Sequence, residues 1–410
     1  MSAAHPDTPS VVIVNDFAHV NGGAAMVALE SAKGLAAREW NVTLFAAVLP
    51  IDEALEKAGV RVVCTDQHEI RTDPNRKRAV RQGIWNTIAA ERLAEVLRDK
   101  NPKTTIVHVH GWTKSLSSSV IRVAVDAGCP VACTLHDYFA ACPNGGFYDY
   151  RKNKICTRRA MSLDCILTNC DKQGYGQKLF RVIRQRKQMR TGQVPSGIRQ
   201  FISISNFSLE ILKSYLPSDA RVDFVPNPIF VAKAEPATPE NNDTLLCIAR
   251  LSPEKGIGLL AEAARTTGAK LKVVGDGELK QLLQREYPEV EFTGWQNREQ
   301  VNAHFRSARV LVLPSLWYET QGMVVAEAAA LGVPSIVPDT CAARDMVVDG
   351  KTGLWFTGGD VSDLAEKIAI LKDSATVQAM GQAAYSSFWV NPPTIDRHLD
   401  ALESVYRHML

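Results

Sequence analysis

The stretch LPSLWYETQGMVVAEAAALGVPSIVPD, residues 313–339, decides how this chain is read. Leu311 to Leu313 read as a short buried strand, and the small apolar residues from about Gly322 to Leu331 read as a helix. The first N–H groups of a helix have no internal partner, so a strand that runs through a loop into a helix start makes a place for an anion. Gly322, Met323 and Val324 would supply those N–H groups. Glu319 falls in the loop beside them, where a carboxylate can accept hydrogen bonds from sugar hydroxyls. Glu327 falls about a turn into the helix, in reach of ribose hydroxyls. Either glutamate alone reads equally well as a solvated surface residue.

Upstream, strand and helix signals alternate. TLLCIAR (244–250), LKVVGDG (271–277), VEFTGW (290–295) and VLVLP (310–314) read as strands separated by helices, which implies a parallel sheet. Arg250 ends one strand and Lys255 follows in the turn, so the two cations could reach one strand-end pocket and suit a diphosphate. Gly275, Asp276 and Gly277 close the next strand, where glycines let a nucleotide approach the backbone. A solvated ion pair and a plain turn are the alternatives for these two groups.

The same alternation occupies the first half. VVIVN (11–15) is followed by Gly22-Gly23 and a helix from about Ala24 to Ala37, and strand runs recur at 42–46, 60–63, 106–109, 131–134, 201–204 and 222–225. Helical stretches such as Trp85 to Leu97 separate them. The polar, proline-containing segment after VPNP (225–228) reads as a linker over 229–243. The expected division is a first Rossmann-like domain over 1–228 with an insertion at about 139–199, a second over 244–390, and a C-terminal helix over 391–410 that packs on the first. Ligands in such sheets bind at the carboxyl ends of the strands.

Composition sets the wider bounds. The 410 residues are 46% hydrophobic and 22% charged, as expected of a globular protein with two domains. A net charge of +3 is too small to argue for nucleic acid. MSAAHPDTPS lacks the features of a secretory signal, and no apolar run approaches the ~18 residues of a membrane span. Nine dispersed cysteines fit a reducing compartment, so a cytoplasmic protein is expected.

Taken together, ARLSPEKG (249–256), VGDGEL (274–279), FTGW (292–295), LPS (313–315) and the paired Glu319 and Glu327, seven residues between them, resemble the retaining GT-B glycosyltransferases of the large family of bacterial mannosyl- and glucosyltransferases. The resemblance covers roughly 180 residues of the second half. The first half is similar more loosely, through Gly22-Gly23, HVHGW (108–112), TLHDY (134–138), SISNFS (203–208) and VPNP. It implies an α/β fold of two doubly wound domains facing across a cleft. It also implies transfer of a hexose from a UDP- or GDP-linked donor to a hydroxyl of a glycan, lipid-linked and destined for a surface polysaccharide. In that reading Arg250 and Lys255 hold the diphosphate, Glu319 the sugar, Glu327 the ribose, and His136 reaches the sugar from the first domain. Gly22 and Gly23 approach the phosphates, while His110, Asp137 and Asn206 belong to the acceptor cleft. No metal is required for catalysis, and no Asp-any-Asp triplet occurs in the chain.

Three features remain open. His108 and His110 alternate onto one face but lack a third ligand, so a packed or cleft-lining pair is the better reading. Cys142, Cys156, Cys165 and Cys170 lie within 29 residues and could hold a structural zinc ion, or stay as unlinked thiols. Residues 172–199 carry eight Lys or Arg and no Asp or Glu, interleaved with Leu179, Phe180, Val182, Ile183 and Met189. Such a helix could lie on an anionic membrane surface or simply be solvated. A sugar-nucleotide epimerase of the same fold and a catalytically silent nucleotide-binding scaffold are the rival functions.

Overall fold

The computed structural model describes residues 9–410. The first eight residues, which carry most of the stretch read as lacking a secretory signal, lie outside it.

Two parallel sheets organise the chain. The first is built from β1 (Ser10–Val14), β2 (Asn41–Ala46), β3 (Arg61–Cys64), β4 (Thr105–Val109), β5 (Val131–Thr134), β8 (Gln200–Ser203) and β9 (Arg221–Phe224), in the order β3-β2-β1-β4-β5-β8-β9. Between β5 and β8 an antiparallel hairpin, β6 (Tyr148–Asp149) and β7 (Lys154–Ile155), opens the insertion. The second sheet runs β12-β11-β10-β13-β14-β15, from β10 (Thr244–Ile248), β11 (Lys270–Val274), β12 (Glu291–Gly294), β13 (Val310–Val312), β14 (Ser335–Pro338) and β15 (Gly353–Phe356). In both, the chain starts in the middle, winds to one edge and returns to complete the other, so each sheet has a switch point beside its first strand.

The reason is visible in the strands. β1, β4 and β5 are buried at every position, as strands covered by helices on both faces must be. Val12 and Val14 enter one core while Val11 and Ile13 enter the other. Leu245 and Cys247 split from Leu246 in the same way in the second sheet.

The C-terminal helix Ile395–Met409 crosses back to the first sheet, as expected. Leu399, Leu402, Val405 and Tyr406 complete the core that holds Val11, Ile13 and Leu29. Gly34 permits this contact, because a Cβ there would collide with Leu399 Cδ1. The segment between the sheets is tied down at both ends: Ile229 N–H donates to Pro393 O and Ala237 N–H to Leu331 O.

The helix read over Trp85 to Leu97 is present as Thr87–Arg98, started by the Asn86 side chain, which accepts from Ala89 N–H; a separate helix, Arg76–Ile84, precedes it where none was expected. Two further local features differ from expectation. β14 and β15 form a sheet edge where no strand was read. The basic stretch is a helix only over Tyr175–Arg190, and it is not solvated all round: Lys178, Arg184, Gln185 and Gln188 are buried. Arg184 donates to the carbonyls of Thr113 and Pro143.

Candidate functional site

The loops that follow β1, β5, β10 and β13 meet around a cavity of about 300 Å³ between the two sheets. Its walls include Gly23, His136, Lys255, Trp317, Glu319 and Met323.

Two helix starts open onto it. The helix Gly23–Ala37 begins after Gly22 at φ +103°, and the helix Met323–Ala330 begins after Gly322 at φ +83°, a left-handed conformation that suits glycine. Neither start has a side-chain cap. Gly23 and Ala24 on one side and Met323 and Val324 on the other therefore bring unpaired N–H groups to the cavity. The two starts approach each other, since a Cβ on Gly23 would lie 3.5 Å from the Met323 sulfur.

Lys255 and Glu319 form the charged floor. Lys255 Nζ is 2.7 Å from each carboxylate oxygen of Glu319, and both side chains are 15% exposed. Ser315 Oγ and Trp317 Nε1 donate to the same carboxylate at 2.8 and 3.2 Å, and Lys255 also lies over the Trp317 ring. Burial pushes the Glu319 carboxyl up, but the Lys255 charge and these donors outweigh it, and it titrates below the usual range. Gly256 makes the geometry possible: at φ +67° it turns the chain so tightly against Pro314 O that a Cβ would not fit.

Arg250 does not join Lys255 in this cavity. Its guanidinium pairs with Glu254 at 3.0 Å and faces a second, smaller cavity shared with Arg71, Tyr150, Lys172 and Arg181. Glu254 is buried and already accepts from Ser252 Oγ, so it holds Arg250 by its own need for a partner. Gly275 and Gly277 are also absent from the cavity. They let the loop after β11 press on the main chain of Ala249 and Leu251, while Asp276 binds Gly277 N–H and Lys280. Asn206 is exposed at the start of its helix and does not line the cavity, although Ile204 before it does. Glu327 is half-buried, with no hydrogen-bond partner among the described residues. Burial raises its carboxyl, partly offset by the Arg298 charge.

On the first-sheet side, His136 lines the cavity and is joined to His110 and His108. His136 Nε2 lies 2.9 Å from His110 Nδ1, and His110 Nε2 lies 3.2 Å from His108 Nδ1. His108 spends its nitrogens on Tyr406 Oη at 2.6 Å and Thr134 Oγ1 at 2.7 Å. His108 and His110 are thus a packed, hydrogen-bonded pair. Asp137, next in the chain, accepts from Phe139 N–H, and burial raises its carboxyl to about 6.

The four cysteines do not form a ligand set. Among the described residues no three His, Cys, Asp or Glu side chains gather as metal ligands. The buried Lys178 ammonium stands 3.6 Å from Cys165 Sγ and 3.3 Å from Cys170 Sγ. Asn144 also donates to Cys170 Sγ.

Several residues of the site were not read from the sequence. Ser315, Trp317 and Thr320 flank Glu319 in the stretch that was singled out, yet their roles appear only in the fold. Thr320 Oγ1 donates to the main-chain oxygen of His136 at 2.9 Å, across the cleft. Asn227, in VPNP, donates to the Gln321 side chain nearby. Asp16, at the end of β1, accepts three N–H groups from Lys114, Ser115 and Leu116 and so fixes the loop after β4.

A profile described as glycosyltransferase family 4 matches residues 21–233, just over half of the chain, and one described as glycosyl transferases group 1 matches residues 230–387. The sulfoquinovosyl transferase SQD2 of Arabidopsis thaliana is 31% identical over 164 residues, covering 38% of this chain and 31% of that protein. A GDP-mannose-dependent alpha-(1-6)-phosphatidylinositol monomannoside mannosyltransferase of Mycobacterium tuberculosis is 33% identical over 158 residues, covering 34% of this chain and 41% of its own. The chain thus spans less than half the length of these relatives. Among solved structures, the sucrose-phosphate synthase of Thermosynechococcus elongatus superposes with a TM-score of 0.72 at 17% identity, covering 98% of this chain and 99% of that one. Anabaena HepE in complex with UDP does so with 0.65 at 16%, covering 98% and 100%. These likenesses show the GT-B fold.

Proposed function

This chain belongs to glycosyltransferase family 4, and from that premise we propose that it moves a hexose from a nucleoside diphosphate to a hydroxyl of a glycan with retention of configuration. One observation carries the reading: two uncapped helix starts, a lysine and a sugar-competent carboxylate line the same cavity. The first domain would take the acceptor and the second the donor.

The diphosphate sits in this account against the N–H groups of Met323 and Val324, with Gly22 and Gly23 opposite and Lys255 as counter-ion. As the bond between the sugar and the phosphate oxygen breaks, negative charge grows on the leaving diphosphate, where these groups already point. The acceptor hydroxyl attacks from the same face, and its proton passes to that phosphate oxygen, so no separate base is called for. Glu319, ionised and held by Ser315 and Trp317, accepts hydrogen bonds from the sugar. The unpartnered Glu327 carboxylate receives the ribose hydroxyls, and Arg250 swings from Glu254 to the phosphates when they arrive. His136 meets the sugar from across the cleft, and Asp137 and Asn206 belong to the acceptor side. A lysine and main-chain donors supply the charge stabilisation, so catalysis needs no metal. The relatives include GDP-mannose-dependent enzymes and the structural neighbours a complex with UDP, so both bases stand as donors.

The acceptor is a lipid-linked saccharide of a surface polymer. No helix of the described residues is long and apolar enough to cross a membrane. The helix Tyr175–Arg190 nevertheless turns Leu179, Ile183, Arg186, Met189 and Arg190 outward, near the exposed Leu163 and Leu167. That mixed apolar and basic face would rest on an anionic bilayer from the cytoplasmic side. Replacing Leu179 and Ile183 by Glu should abolish binding to anionic vesicles; unchanged binding would remove the membrane from the account.

The test of the reaction is slow hydrolysis of UDP- and GDP-linked hexoses followed by NMR of the freed sugar. An α-linked donor should yield the α anomer first. Release of the β anomer would contradict retention, and no turnover of any donor would favour a silent scaffold.

A further inference from the structure

A file of hydrogen-bonded side chains runs from the C-terminal helix to the cavity: Tyr406, His108, His110 and His136. Tyr406 and His108 have no exposed surface and His110 is 2% exposed. His136 Nδ1 has no protein partner among the described residues, and the ring lines the cavity. Burial depresses all three imidazoles, His108 and His136 to about 3, so each carries a single ring proton near neutral pH.

A neutral imidazole offers one N–H and one lone pair, so the file has only two consistent directions. In the first, Tyr406 O–H donates to His108 Nδ1, whose Nε2–H goes to Thr134 Oγ1. His110 Nε2–H then shares the His108 Nδ1 lone pair, His136 Nε2–H donates to His110 Nδ1, and His136 Nδ1 reaches the cavity as a bare acceptor. In the second, every proton is reversed, Thr134 O–H donates to His108 Nε2, and His136 Nδ1–H faces the cavity as a donor.

The two end hydroxyls compete to set the direction. Among the described residues each has its only side-chain partner in His108, so one of the two hydroxyl protons is stranded. Both contacts are short, and a phenol gives its proton more readily than an aliphatic hydroxyl, which selects the first direction. We infer that Tyr406, acting through His108 and His110, fixes His136 as a hydrogen-bond acceptor toward the bound sugar. The three are positioning residues, and they favour a donor sugar whose hydroxyl at that place can give a proton. This inference rests on the cavity being the donor site.

Nitrogen-15 NMR of histidine-labelled protein reads the direction without any substrate. In the wild type, His136 Nδ1 should have a pyridine-like shift and Nε2 a pyrrole-like one. Tyr406→Phe keeps the ring packed on Trp40 but removes the phenol. Thr134 is then the only end hydroxyl, the file should reverse, and the His136 shifts should exchange. Turnover of the nucleotide sugar should fall roughly tenfold in kcat, as for a misdirected hydrogen bond, with the affinity for bare nucleoside diphosphate unchanged. A wild-type His136 already protonated at Nδ1, or a tautomer unmoved in Tyr406→Phe, would overturn the inference. If the tautomer reverses as expected but neither protein binds any nucleotide sugar, the donor reading fails and the positioning role fails with it.

Discussion

Thr320 donates to the main-chain oxygen of His136 at 2.9 Å, so the loop that carries Glu319 is fastened directly to the strand-end loop of the opposite sheet. The cavity is therefore bounded on both sides by groups that hold each other in register. Thr320→Val should lower stability by about 1 kcal/mol, the worth of one neutral hydrogen bond, and weaken donor binding as the two loops lose register. Titration calorimetry of the variant checks the binding, and equal affinities would show that the contact does not shape the site.

The Lys255 and Glu319 pair predicts two distinguishable variants. Lys255→Ala strands a buried carboxylate, so stability should fall by about 3 kcal/mol, and transfer should fall at least about a hundredfold. Glu319→Gln keeps the shape and removes the charge, so it should cut transfer while costing less stability. Urea melts paired with turnover separate the two effects. Near-normal turnover in both variants would contradict the roles given to these residues.

Buried histidines make the fold acid-sensitive. His108 and His136 titrate at about 3 and His398 at about 4, because burial opposes their charge, whereas free histidine titrates near 6.5. Between those values the unfolded chain binds more protons than the folded one, so stability rises with pH and is complete only above about 6.5. Each ring that titrates near 3 should remove about 2 kcal/mol by pH 5. Glu319 works at lower pH: its depressed carboxyl stabilises the fold above the ordinary glutamate value and loses that contribution only as pH falls through its own. A urea midpoint that stays level from pH 7 to pH 5 would contradict this account of the rings.

The docking of the C-terminal helix is testable at Gly34. Gly34→Ala sets a methyl group against Leu399 in a packed core and should cost about 1–3 kcal/mol. In the double variant with Leu399→Ala, which makes room, the two losses should be less than additive, and that coupling would identify the collision as the cause. An unaffected Gly34→Ala melt would show that the helix yields easily.

How far the sequence could be read follows from what each feature depends on. Val11 to Val14 and Leu245 to Cys247 are legible as strands because burial on both faces leaves an unbroken apolar run. The strand Ser335–Pro338 is not, since it carries a serine and a proline at an edge-side position that only the sheet explains. Glu319 stands out through its place between a strand and a helix start. The direction of Arg250 does not, because it is decided by the buried Glu254 and the Ser252 hydroxyl rather than by a pattern. Lys178 reads as one more cation of a basic helix, and only the fold sets it against Cys165 and Cys170. Tyr406 lies 298 residues from His108, so nothing local could join them.

In the proposed function the cavity binds a nucleoside diphosphate through Lys255 and two helix starts. Calorimetric titration of the wild type with UDP and GDP in metal-free buffer measures that binding. One of the two should bind, and Lys255→Ala should lose at least about tenfold in affinity, as expected for a charge-assisted contact. Binding of neither nucleotide, or equal binding by the folded variant, would contradict it.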